Sequence, residues 1–133
     1  MEYEFKNQHK YEARVLDSTE WRQVIEKAQA ATEAPLHMFI LSCLANSQTI
    51  SIGTICAFKG VKLETGAQRS VGSTSMGYIS KWVRAVTQEE KASFFEWHPI
   101  TGDWSIGSYQ MRSLRTAMEY ENSIPLPPKT YGD

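Results

Sequence analysis

Apolar positions recur at two different periods along this chain, and each period predicts its own kind of element. Trp21, Val24, Ile25 and Ala28 stand at i, i+3, i+4 and i+7, the spacing of one helix face. Asp17 and Ser18 precede them, and Asp17-x-x-Glu20 has capping-box spacing. A helix is therefore predicted over about residues 19–33, with Pro35 as its stop. Just before it, Tyr11, Ala13 and Val15 alternate with Glu12 and Arg14, the period-two pattern of a strand with one wet face. Residues 2–5 read as a partner strand, with Asn7 and Gln8 at the turn.

Residues 36–44 and 49–58 are uncharged runs bounded by turn residues. Their aliphatic bulk, with Ile50, Ile52 and Ile55, predicts two central strands buried on both faces. The first run also fits a short buried helix, because periodicity does not separate the two. Lys59-Gly60 reads as a hairpin turn into residues 61–65. Residues 65–77, TGAQRSVGSTSMG, are a loop by composition. The stretch 78–86 alternates in strand fashion, although Tyr78, Trp82 and Val86 also fit a helix face. Thr87-x-x-Glu90 predicts a second capped helix, ended by Pro99. A turn at 101–103 follows, with Gly102 able to take positive φ. A last helix carries Met111, Leu114 and Met118 as its stripe, with Arg115 four residues before Glu119. These elements predict an α+β fold: a mostly antiparallel sheet of five or six strands with two or three helices on one face. Residues 1–121 would form one globular domain and residues 122–133 a proline-rich, extended tail.

Composition narrows the class. The chain has 133 residues, enough for one core, and its 41% hydrophobic and 22% charged residues are those of a soluble globular domain. The net charge of −1 gives no overall pull toward nucleic acid or membrane. Residues 59–86 nevertheless carry five bases, Lys59, Lys62, Arg69, Lys81 and Arg84, against Glu64 alone. The N-terminal residues lack the apolar region of a secretory signal, and neither uncharged run reaches the about 20 residues of a membrane span. A cytoplasmic protein is expected. Cys43 and Cys56 are expected as buried, reduced thiols, too few for a disulfide scaffold.

The stretch SVGSTSMGYISKWVRAV, residues 70–86, concentrates the candidate chemistry. Gly72 and Gly77 have phosphate-loop spacing, but the lysine and hydroxyl that should follow are replaced by Tyr78 and Ile79. Ser75 lacks the preceding glycine of a nucleophile elbow. His9, His37 and His98 have no partners at metal-ligand spacing, and His37 reads as a hydrogen-bonded core histidine. No cofactor is implied. What remains is an anion nest: small residues offering N–H and hydroxyl groups, including Ser73 and Ser75, flanked by Arg69, Lys81 and Arg84. Tyr78 and Trp82 would stack on a flat ring, and Arg112 and Arg115 of the last helix would join the same ligand. Trp97 and Trp104 are expected to clamp the turn between them.

The leading expectation is thus a small non-catalytic protein that holds an anionic, nucleotide-like molecule. A protein-interaction module anchored by Trp and Tyr side chains is the second, and a small hydrolase or transferase the third. Nucleic acid is not an expected partner. A homodimer is expected, with Ile124 and Leu126 of the tail on the neighbouring subunit.

Overall fold

A computed structural model describes residues 12–60 and 66–118, with side chains from residue 73 onward in the second stretch. Five helices dominate these residues: α1 (Ser18–Gln29), α2 (Ala34–Ser47), α3 (Ile52–Lys59), α4 (Gly66–Thr87) and α5 (Ser108–Ala117). The strands are short: β1 (Glu12–Ala13), β2 (Thr49–Ser51), β3 (Ala92–Ser93), β4 (Glu96–His98) and β5 (Asp103–Ser105). β1 pairs with β3 in parallel, and β2-β5-β4 form an antiparallel sheet in which Trp104 faces Ile50 on one side and Trp97 on the other. The expected fold, one large antiparallel sheet with helices on one face, is therefore incorrect. Helices build the core, and the strands tie its edges.

Local signals held where local interactions set the structure. Asp17 Oδ1 accepts from the Glu20 N–H at 2.8 Å, and Glu20 Oε1 accepts from the Asp17 N–H at 3.0 Å, which starts α1. Its buried face is Trp21, Val24, Ile25 and Ala28. Gly102 takes φ +75° in the β4–β5 turn, a conformation that costs glycine little. Leu114 is buried on α5, with Met111 and Met118 packed partly against the core.

Other elements differ from their sequence reading. Residues 36–44 lie within α2, which Pro35 opens from its first turn. Proline fits there because its missing N–H has no helical partner to lose. Leu36, Ile40, Leu41, Leu44 and Ala45 are buried along α2, and this helix packs against all four others as well as β2. Met38, Phe39 and Cys43 on its remaining side are half-buried against the core, so apolar residues occupy most of its circumference. The run's lack of charge thus reflects burial, without fixing the period. After the three residues of β2, Ser51 Oγ accepts from the Thr54 N–H at 3.0 Å and starts α3. Gly60, at φ +78°, ends that helix rather than making a hairpin. The expected partner strand at 2–5, the strand at 61–65 and the tail at 122–133 lie outside the described residues.

The greatest departure is α4. Both the expected loop at 65–77 and the expected strand at 78–86 belong to this single helix. Met76, Ile79 and Val83 are buried on it at helical spacing, and their packing outweighs the weak helix propensity of serine and glycine. Thr87 is the end of α4, not a cap for the next helix. Its hydroxyl donates to the Val83 carbonyl at 2.9 Å, and residues 92–98 continue as β3 and β4.

Candidate functional site

Because α4 is a helix, its backbone N–H groups serve its own hydrogen bonds, and the small residues present side-chain faces instead of an anion nest. A turn of about 100° per residue distributes the expected site residues around the axis. Three regions result.

On one side, Ser75 and Tyr78 meet α2. His37 Nδ1 and Ser75 Oγ are 2.8 Å apart, and both residues are buried. Trp82 meets the His37 ring edge-on, with centroids 5.0 Å apart, and Tyr78 contacts the same ring at 5.8 Å. The hydrogen-bonded core histidine expected from sequence is thus observed. Burial lowers the His37 pKa below its ordinary value, against a smaller opposing effect of the nearby Glu33 charge, so the ring is neutral near pH 7. His37, Ser75, Tyr78, Thr74, Lys59 and Glu33 help line a cavity of about 430 Å³. Lys59 and Glu33 form an ion pair at 3.1 Å.

On another side, Ser73, Met76, Gly77 and Ser80 face Phe95, Trp97 and Trp104 across a groove of about 350 Å³. Trp104 is buried, Trp97 is 42% exposed, and their rings lie 4.8 Å apart. Of the two tryptophans expected to clamp the 99–102 turn, Trp104 belongs to the core, whereas Trp97 lies against it on the exposed side. A Cβ added at Gly77 would meet nothing within 4 Å, so the groove is open at that point. Ser80 is buried, and its hydroxyl has no hydrogen-bond partner among the described residues. Further along α4, Lys81 and Arg84 border a shallow depression with Ala85, Gln88 and Glu90.

The third region is remote from α4. Arg112 and Arg115 lie on α5, which packs on α1 and α2. Arg112 stacks over the Tyr109 ring at 4.9 Å. Arg115 is buried, and its Nε has no hydrogen-bond partner among the described residues. Arg69 belongs to the first turns of α4, but its side chain lies outside the described residues.

The structure therefore brings Ser73 together with Gly77, Ser80 and the two tryptophans, and joins Ser75, Tyr78 and Trp82 to His37. It does not gather these with Arg112 and Arg115. Sequence reasoning missed Gly77 and Ser80 as groove residues and Lys59 and Glu33 as cavity residues. One signal was present: Ser73, Gly77, Ser80 and Arg84 recur at i, i+4, i+7 and i+11, a single helix stripe.

Another cavity, about 520 Å³, lies beside Arg14, Phe94, Phe95 and Gln110. Its main polar side chains are engaged: Arg14 with Glu20 and Glu89, and Gln110 with four buried or half-buried groups. Among the described residues, no three His, Cys, Asp or Glu side chains converge to hold a metal, and no helix is long and apolar enough to cross a membrane. No protein-family model, curated protein or solved structure matches this chain.

Proposed function

We propose that this chain is a small non-catalytic binding protein for an anionic, nucleotide-like molecule held along α4. One observation carries the reading. The open Ser73–Gly77–Ser80 face looks onto Trp97 and Trp104, and the basic Lys81 and Arg84 follow on the same helix. A flat ring enters the groove against the exposed part of Trp97, and its anionic group reaches toward Lys81 and Arg84. Ser80 supplies a hydroxyl to the ring's polar edge. Tryptophan stacking contributes roughly 1–3 kcal/mol, and a charged hydrogen bond roughly 1.5–3 kcal/mol. The groove supplies contact surface and hydroxyls without a nucleophile–base pair, so binding rather than turnover is the activity assigned. A cytoplasmic setting fits two cysteines that are not joined in a disulfide.

Calorimetry with AMP, ADP, ATP and cyclic nucleotides tests the reading on wild type, Trp97→Ala, Lys81→Ala and Arg84→Ala. Each substitution is expected to weaken binding roughly tenfold to a hundredfold, at about 1.4 kcal/mol per decade. Circular dichroism checks that each variant folds. Absence of nucleotide binding below the millimolar range, or full affinity in all three variants, overturns it.

A further inference from the structure

We propose that the cavity between α2, α3 and α4 is a second small-molecule site, selective for a zwitterion of the free α-amino acid class. Its volume, about 430 Å³, falls within the roughly 300–1,000 Å³ of small-molecule sites.

Charge at the cavity selects the ligand. Lys59 Nζ lies 3.1 and 3.3 Å from the two Glu33 carboxylate oxygens. These side chains are 32% and 51% exposed, so water weakens the pair and it exchanges partners at little cost. A simple anion that pairs with Lys59 meets the Glu33 carboxylate, and a simple cation that pairs with Glu33 meets the Lys59 ammonium. A molecule carrying both charges satisfies both. His37 is neutral and adds no charge of its own.

The rest of the lining recognises a side chain. His37 lines the cavity with its Nδ1 held by Ser75 Oγ, and Nε2 has no hydrogen bond among the described residues. Leu36 is buried beside it, Thr74 adds a hydroxyl, and Tyr78 is half exposed along one wall. A short side chain with a hydroxyl or amide meets His37 Nε2 while its carbons lie on Leu36. This site is independent of the Trp97 groove, which lies on another side of α4.

The test uses the full chain, with L-serine and L-glutamine, their N-acetyl derivatives and their carboxamides. Binding is read by calorimetry and by the NMR shifts of the His37 ring. The free amino acids are expected to shift the His37 resonances, and each singly charged derivative to bind at least about tenfold more weakly. Glu33→Gln should weaken the free amino acid but strengthen the N-acetyl anion. Lys59→Gln should strengthen the carboxamide cation instead. That reversal separates a charge-selective site from a loss of structure. Trp97→Ala should leave all of these values unchanged, so failure of the nucleotide reading is distinguishable. If no free amino acid moves the His37 ring at about 10 mM, or if the derivatives bind as well as the parent, the proposal is wrong.

Discussion

The Gln110 side-chain carbonyl accepts a hydrogen bond from the Trp21 indole N–H at 3.2 Å, joining α5 to the largest buried side chain of α1. The same oxygen accepts from the Leu16 N–H at 2.7 Å. The amide nitrogen donates to the carbonyls of Arg14 at 2.8 Å and Phe94 at 3.3 Å. One buried amide thus satisfies four groups from two separate parts of the chain, residues 14–21 and Phe94. Neither a shorter nor an apolar side chain reproduces that geometry.

Gln110→Leu keeps most of the volume and removes all four bonds. Each buried group left unsatisfied costs about 1–3 kcal/mol, so a loss of at least about 3 kcal/mol is expected. Urea denaturation should show a lower midpoint with an unchanged slope. A loss within about 0.5 kcal/mol, the range of ordinary surface changes, would contradict the role of Gln110 as a central tie.

Glycine has opposite consequences at two positions. A methyl group at Gly77 meets nothing within 4 Å, and alanine is favoured over glycine in a helix by about 0.8–1 kcal/mol. Gly77→Ala should therefore raise the melting temperature. Gly77→Leu should fill the Trp97 groove and abolish nucleotide binding while the fold persists. Gly60 sits at φ +78°, where a Cβ is strained, so Gly60→Ala should destabilise by about 1–2 kcal/mol. Thermal melts of the three variants, with calorimetry on the two at position 77, check both signs.

Stability should fall as pH drops below about 6.5, through His37. Burial holds the folded-state pKa of His37 below the ordinary value of 6.5. Below that value the unfolded chain takes up a proton that the folded chain resists, so acid favours unfolding. The contribution is complete above about pH 6.5 and is lost progressively as pH falls toward the folded-state pKa. Urea titrations between about pH 7.5 and pH 5 should show this slope. His37→Gln retains a hydrogen-bonding side chain toward Ser75 but does not titrate, so its slope should be shallower. An unchanged slope would place the titrating group elsewhere.

The thiols should differ in reactivity. Cys56 is 1% exposed on α3, whereas Cys43 is half-buried on α2 with its pKa raised by burial. A thiol-specific disulfide reagent should modify Cys43 slowly, Cys56 more slowly still, and both at once after unfolding. Rapid modification of Cys56 in the native protein would be inconsistent with this packing.

The sequence by itself determined what depends on near neighbours. The Asp17–Glu20 capping box, the α1 and α5 stripes and the positive φ of Gly102 all arise within about one turn of chain. Residues 36–44 and 66–87 were not settled locally. An uncharged apolar run is compatible with either a strand or a helix, and α2 finds its packing partners on four other helices. Serine and glycine in α4 pointed to a loop, and only the packing of Met76, Ile79 and Val83 made that stretch helical. The candidate site followed the same division. Its residue types were visible in sequence, but a loop would have let Ser73, Ser75, Tyr78, Lys81 and Arg84 converge. The helix turns about 100° per residue, and tertiary packing decided where each one faces: Ser75 and Tyr78 toward His37, Ser73 toward the Trp97 groove, and Lys81 and Arg84 onto a depression beside Gln88 and Glu90.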